Sequence, residues 1–367
     1  MKVLCDREKL REGLAVVNSV IPTKTTKAVL TNVCLVATSD ALELVGTDLD
    51  LAVRFRLGDD VKVEEPGTVV VPARVTLDFV RDLTGTTVVI EAGESRCTLK
   101  SGEDVCELVT ADPDEFPVVA RFDEQGSSSI QAGSFTTLVG RTAFAAAREQ
   151  GRYAMHGVLT EVDEETLKLV ATDGRRLAVA SAPMQVAERP EKPVIVPARG
   201  LQLFCRVSSD PLAQVRLSFG DNTIGFKTPD AEVFARLIDG EFPRYAAVIP
   251  KESSNRIEAD AELFGRKLRL VANVTGEEAR AVRLSAAAGS LELFGASAGR
   301  GEAHAHMEVD FKGEKAEIAF NPDYVLDGIK NCESGIVRLE FNEKTSPGKF
   351  TLGENYIYIV MPITIDA

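Results

Sequence analysis

The chain has 367 residues and a formal net charge of −14, with 44 % apolar and 27 % charged residues. That balance belongs to a soluble globular protein, and no apolar run approaches the roughly 20 residues needed to span a bilayer. The acidity argues against a protein that grips nucleic acid by neutralising phosphates, unless its sparse basic groups are gathered on one surface.

The start, Met1-Lys2-Val3-Leu4-Cys5-Asp6, reaches charge too soon for a signal peptide. Six cysteines, at 5, 34, 97, 106, 205 and 332, contain no C-x-x-C pair and read as reduced, mostly buried thiols of a cytoplasmic protein. Asp6 is placed to cap a helix whose apolar side carries Leu10, Leu14, Val17 and Ile21. Strand-like Val33-Cys34-Leu35-Val36 follows, then Leu44-Val45-Gly46-Thr47-Asp48. A second helix over 73–83 is predicted behind Val71-Pro72-Ala73-Arg74. Val88-Val89-Ile90 reads as strand, Glu115-Phe116-Pro117 closes the stretch, and 123–129 is polar and small enough for a junction.

The same order then begins again. A helix over 134–147 behind Ser134 carries Phe135, Leu138 and Val139, and Gly157-Val158-Leu159-Thr160 reads as strand. Leu169-Val170-Ala171-Thr172-Asp173 and Val196-Pro197-Ala198-Arg199 each repeat their earlier block 125 residues on (169 − 44; 196 − 71). A helix over 198–208, the strand Val215-Arg216-Leu217 and Glu241-Phe242-Pro243 follow, before a second polar junction at 250–255. A third, more diverged copy has a helix over 260–275 behind Asp260 with Phe264, Leu268 and Val271. It continues with Ala281-Val282-Arg283-Leu284, Leu291-Glu292-Leu293 in step with Leu42-Glu43-Leu44, a helix over 322–331, and Val337-Arg338-Leu339. A long fixed period of this kind is a signature of architecture. The expectation is three modules, 1–125, 126–250 and 251–367. Each is α+β, with two helices packed on roughly eight short strands. The sheets are antiparallel, because no βαβ rhythm appears.

Arg74 and Arg81 lie seven apart, on one helix face, and Arg199 and Arg206 hold the same two positions in the second copy. Lys330 holds the later position in the third. A solvated face explains one such arginine; recurrence of the pair argues for a basic surface. No phosphate loop, dinucleotide fingerprint, nucleophile elbow or H-E-x-x-H motif is present. His304-Ala305-His306 lacks partners at metal-ligand spacing and reads as a surface strand. Thr47-Asp48 and Thr172-Asp173 read as turn formers at strand ends. After the second of these, Gly174-Arg175-Arg176-Leu177 has no counterpart in the first copy, which has Leu49-Asp50-Leu51-Ala52. The apolar end Tyr358-Ile359-Val360-Met361-Pro362-Ile363 is either a buried last strand or the lip of a partner site. An enzyme would need clustered carboxylates unique to one module, and none stands out. A purely structural repeat leaves the paired arginines and the added turn unexplained.

At Gly46-Thr47-Asp48-Leu49, Val71-Pro72-Ala73-Arg74, Ala171-Thr172-Asp173-Gly174, Arg176-Leu177-Ala178, Asp239-Gly240, Phe242-Pro243 and Val360-Met361-Pro362, the chain resembles the bacterial DNA polymerase III beta subunits, the sliding clamps. The resemblance runs over the whole chain. It implies a cytoplasmic, non-enzymatic processivity factor of DNA replication without cofactor or metal. Two copies would join head to tail into a ring of six modules around double-stranded DNA, with helices lining the hole. It further implies DNA-facing residues at Lys24, Arg74, Gln150, Arg152, Tyr153, Arg199 and Arg206, joined by Arg81 and Lys330 from the repeat pattern. A pocket for peptides of the replicative polymerase, the clamp loader and repair proteins would involve Met155, Thr172, Gly174, Arg175, Arg176, Leu177, Pro243, Val248, Tyr324, Val360, Met361, Pro362 and Ile363. Arg176 and the Gly174 turn are expected at its rim. The joint of the homodimer is expected at the strand near Cys106 and Leu108 and at the end of helix 260–275 with Val274. Two positions depart from the family: Ala154 where a second aromatic is usual, and Arg175 where many relatives have His.

Overall fold

The computed structural model describes residues 1–148, 153–276 and 280–364, with Tyr153 described by its backbone alone. Asp6 opens α1 (Arg7–Asn18), its Oδ1 accepting the Lys9 N–H at 3.0 Å, and Leu10, Leu14 and Val17 form the buried face. Asp260 does the same for α5 (Ala261–Ala272), accepting from Leu263 N–H at 2.7 Å. Side-chain oxygens here satisfy donors that a helix start leaves open. Between them lie α2 (Ala73–Asp82), α3 (Ala132–Thr142) and α4 (Ala198–Val207), and α6 (Pro322–Ile329) comes last. Two sequence expectations shift. Helix α3 begins before Ser134, because the Ala132 and Gly133 N–H groups bond to the carbonyls of Ala213 and Pro211. Pro72 and Pro197 end strands just ahead of their helices, and only Pro322 lies within a first turn.

The first repeat supplies β1 (Lys2–Asp6), β2 (Asn32–Ala37), β3 (Leu42–Thr47), β4 (Leu51–Leu57), β5 (Val61–Glu65), β6 (Gly67–Pro72), β7 (Thr87–Ala92), β8 (Arg96–Ser101) and β9 (Asp104–Val109). The second supplies β10 (Ser128–Gln131), β11 (Gly157–Val162), β12 (Thr166–Thr172), β13 (Arg176–Pro183), β14 (Val194–Pro197), β15 (Gln214–Phe219), β16 (Thr223–Lys227) and β17 (Ala231–Arg236). The third supplies β18 (Asn255–Asp260), β19 (Val282–Ala287), β20 (Ser290–Ser297), β21 (Gly301–Glu308), β22 (Asp310–Lys312), β23 (Ala316–Phe320), β24 (Ile336–Phe341), β25 (Gly348–Thr351) and β26 (Tyr356–Val360).

By contacts the chain forms two compact units: Met1–Gly133 with Gln185–Pro190 and Arg199–Leu237, and Ser134–Met184 with Glu191–Ala198 and Ile238–Ala367. The first unit holds a sheet in the order β5-β1-β7-β8-β9 and an eight-stranded sheet in the order β10-β15-β16-β17-β4-β3-β2-β6. The second holds β14-β11-β12-β13-β26-β25-β24-β18-β22 and β21-β20-β19-β23. The strands pair antiparallel, and in each unit one pairing crosses from repeat to repeat: β4 with β17, and β13 with β26. Core clusters follow the sheets, around Cys34, Val45 and Val70 in the first unit and Leu159, Val170, Leu177 and Ile359 in the second. No helix among the described residues is long and apolar enough to cross a membrane.

Candidate functional site

On α2, Arg74 and Arg81 are exposed, as the spacing predicts. Asp78 sits between them, 2.8 Å from Arg81 Nη1 and 3.9 Å from Arg74 Nε, and Asp82 takes Arg81 Nε at 3.0 Å. The hydrogen bond from Arg81 holds the Asp82 carboxyl below its ordinary range. The face is therefore basic but internally neutralised, a feature that counting arginines alone misses. On α4, Arg199 donates to Asp48 Oδ2 at 2.8 Å and to the Ser19 carbonyl at 3.1 Å, so it also ties α4 to the turn after β3 and to the end of α1. Arg206 is exposed and shares a surface cleft with Glu8, Lys9, Arg11 and Glu12 of α1. Lys24 is exposed in the loop after α1.

In the second unit, Lys330 is exposed at the end of α6. Helix α5, packed beside α6, presents exposed Arg266 and Arg269. The search for the repeated pair passed over these two because they lie on the first helix of their repeat, three residues apart. Gln150 and Arg152 lie outside the described residues, as does the Tyr153 side chain.

The predicted peptide-pocket residues all fall in the second unit. The Thr-Asp blocks build the same turn twice. Thr47 Oγ1 donates to the Leu51 carbonyl and accepts the Leu49 N–H, and Thr172 Oγ1 does so with Arg176 and Gly174. The third turn position is left-handed in both, with φ of 81° at Leu49 and 87° at Gly174. Glycine removes the steric cost there in the second copy alone.

Arg176 is the largest departure from expectation. Only 8 % exposed, it is an anchor and not a rim group. Its Nε bonds to Asp173 Oδ2 at 3.0 Å, Nη1 to Asp327 Oδ2 at 2.6 Å and Nη2 to the Phe144 carbonyl at 3.1 Å. The guanidinium also lies 4.6 Å from the Tyr324 ring centroid and 5.4 Å from that of Phe144. Burial works against its charge, but Tyr358, Asp327 and Asp173 outweigh it and raise its pKa. Replacing the first copy's Leu51 by Arg176 thus links the β12–β13 turn to α6.

The expected floor of the cleft is closed as well. Val360 is fully buried, and Leu177, Met155 and Thr172 nearly so. What solvent reaches is Pro243, Val248 at 47 % exposure, Met361 at 40 % and Arg175. Pro362 and Ile363 are half-buried. The tail is held by main-chain bonds from Met361 N–H to the Arg175 carbonyl at 2.9 Å and from Ile363 N–H to the Ala319 carbonyl at 2.8 Å. Nearby, Tyr245 donates to Glu161 at 2.9 Å; burial first, then that carboxylate, pushes its hydroxyl pKa up.

Three family descriptions match in series: DNA polymerase III beta subunit N-terminal domain over residues 1–120, central domain over 129–244 and C-terminal domain over 246–363. The chain belongs to the DNA polymerase III beta subunit family. It is 31 % identical over 368 residues to a beta sliding clamp of Pseudomonas putida and 30 % identical over 368 residues to that of Escherichia coli K12, each alignment covering all of both chains. Among solved structures it is similar to a DNA polymerase III beta subunit of Pseudomonas aeruginosa, with TM-score 0.93 and 30 % identity. It is also similar to a DNA polymerase sliding clamp of Bacillus subtilis, with TM-score 0.96 and 26 % identity. Both cover each chain fully.

The residues expected at the joint need correction. Leu108 is 5 % exposed and faces the core of its own sheet, so its side chain is not available as an apolar contact. On the same strand Val105 and Val109 are exposed, Cys106 is half-buried, and Val274 after α5 is half-buried. Strand β9 ends the first unit's five-stranded sheet and β21 ends the second unit's four-stranded sheet.

Proposed function

We propose that two copies of this chain close head to tail into a ring that encircles double-stranded DNA and tethers the replicative polymerase, in the bacterial cytoplasm and without catalysis. The modules of the ring are 1–125, 126–250 and 251–367. The observation that carries this reading is the match of all three family domains in order along the whole chain.

Encirclement reconciles the net charge of −14 with DNA binding. A closed ring needs no tight grip, only a bore weakly attractive to phosphates through water and counterions. Arg74, Arg81, Arg199, Arg206, Lys24 and Lys330 suit that role, with Gln150, Arg152 and Tyr153 assigned to it on the resemblance. Asp78 between Arg74 and Arg81 keeps the attraction small, which favours sliding over arrest.

Partner peptides of the polymerase, the clamp loader and repair proteins seat on Pro243, Val248 and Met361. Leu177 and Val360 support that surface from beneath, and the turn at Gly174 and Arg175 lies alongside. A few buried side chains support affinity on the order of micromolar. The decisive test is retention on circular DNA after loading. The complex is expected to persist on the circle and to be released when the circle is cut once. Release before cutting, or persistence after it, overturns encirclement.

A further inference from the structure

The two junctions between repeats share one register, and that register specifies a third. The strands that make them can be matched residue by residue. Asp6, Gln131 and Asp260 precede the first helix of each repeat and stand opposite Thr87, Gln214 and Ile336. Three residues further on, Ile90, Leu217 and Leu339 stand opposite Leu99, Phe226 and Phe350. These in turn face Cys106, Val233 and Tyr358. Cys106 on β9 is therefore the counterpart of Val233 on β17 and Tyr358 on β26.

The other side matches equally. Gly46, Ala171 and Gly295 stand opposite Val53, Ala178 and Ala303. A Cβ on Gly46 would meet Val17 of α1 at 2.5 Å, and one on Gly295 would meet Val271 of α5 at 2.9 Å, so both glycines admit the same helix at the same place. Ala303 on β21 is the counterpart of Val53 and Ala178.

Inside the chain, Val53 pairs with Val233 and Ala178 with Tyr358. Strands β9 and β21 hold the same two positions in the repeats, and each ends its sheet. We infer that β21 of one copy pairs antiparallel with β9 of a second copy, with Ala303 directly opposite Cys106. The proposal rests on the ring reading above and adds its register to it. Gly301 then faces Leu108 and Ala305 faces Asp104 across the joint. On the outer face, His304 lies opposite Val105 and Glu302 opposite Glu107. Like charges directly opposed weaken a sheet. Arg96, already 2.6 Å from Glu107, is the cation placed to offset both.

Hydrogen bonding at the internal junctions fixes the kind of pair. Arg56 N–H bonds to Asp230 and Arg236 N–H to Asp50 in one; Met361 N–H bonds to Arg175 and Ser181 N–H to Asn355 in the other. By alternation, Val53 with Val233 and Ala178 with Tyr358 are non-hydrogen-bonded pairs, the class with the closer Cα atoms. Ala303 and Cys106 inherit that geometry, which suits a disulfide.

The test is Ala303→Cys with the native Cys106, oxidised mildly and run on a non-reducing gel beside the Cys106→Ser double variant, with sedimentation of the reduced proteins alongside. A covalent dimer that disappears with Cys106→Ser is expected. Glu302→Lys should also lower the dimer dissociation constant by about two- to fivefold per joint. A reduced protein that sediments as a dimer but cross-links only through Gly301→Cys or Ala305→Cys overturns the register and leaves the ring. A reduced, unmodified protein that sediments as a monomer overturns the ring reading itself, and the register with it.

Discussion

Arg176 donates to Asp327 at 2.6 Å, across 151 positions of sequence. The bond fastens the β12–β13 turn to α6 and leaves Arg176 almost without solvent contact. Removing one partner of such a pair strands the other, although Asp327 is half exposed and water screens part of the loss. Arg176→Ala is expected to cost about 2–3 kcal/mol, discounted for that screening. Arg176→Lys should recover little of it, because a single ammonium cannot reproduce the three-way fork to Asp173, Asp327 and Phe144. Urea denaturation of the three proteins measures this; a lysine variant as stable as the parent would show the fork to be dispensable.

The basic face of the first unit gives a prediction of each sign. Replacing Arg74, Arg81, Arg199 and Arg206 together by Glu should shorten loader-dependent retention on circular DNA, most clearly at low salt. Asp78→Asn should do the opposite and steepen the salt dependence of residual DNA binding, since it frees both Arg74 and Arg81 from their shared counterion. Retention times against salt for the two variants check both, and movement in the same direction would refute a phosphate-facing role for α2.

The helices were legible where their caps are local. Asp6 and Asp260 announce α1 and α5 because each side chain bonds a donor three residues ahead. Ser134 misled because α3 is capped from a distance, by the carbonyls of Pro211 and Ala213, and no local pattern encodes that. The period revealed what each repeat contains but not how repeats join: the β4–β17 and β13–β26 pairings bring together residues about 180 apart in sequence (233 − 53; 358 − 178). Arg176 read as a rim group because its acceptor lies on another repeat. Asp78 was in plain view, and its cancelling effect on the two arginines follows from spacing alone.

The buried thiols give the chain an alkaline limit. Burial pushes Cys5 up to about 12 and Cys34 and Cys97 up to about 11. An unfolded thiol titrates near 8.5. The folded pKa is raised, so this contribution to stability is fully present below about pH 8.5 and is lost as pH rises toward 11 to 12. Urea midpoints should therefore fall steadily from pH 8 to pH 10.5, and Cys97→Ala should flatten part of that slope. Iodoacetamide at pH 8 should modify the half-buried Cys106, Cys205 or Cys332 and spare Cys5, Cys34 and Cys97 in the folded chain. Early labelling of Cys97 under native conditions would contradict its burial.

The partner surface is best tested by side-chain changes. Deleting residues 361–367 should abolish peptide binding, but it also removes the bonds from Met361 and Ile363 to Arg175 and Ala319, so lost binding would not separate surface from scaffold. Val248→Asp and Met361→Asp leave those main-chain bonds in place and put a charge on the two most exposed apolar groups of the site. Each should weaken an extended peptide bearing a glutamine and two bulky apolar residues by about tenfold or more, the scale of roughly 1–2 kcal/mol for an apolar contact made polar. Sedimentation should be unchanged, because both groups lie away from β9 and β21 in sequence and are not part of either strand. Calorimetry with the free peptide reads the loss directly. Full affinity in both variants, with the dimer intact, would place peptide capture elsewhere on the chain.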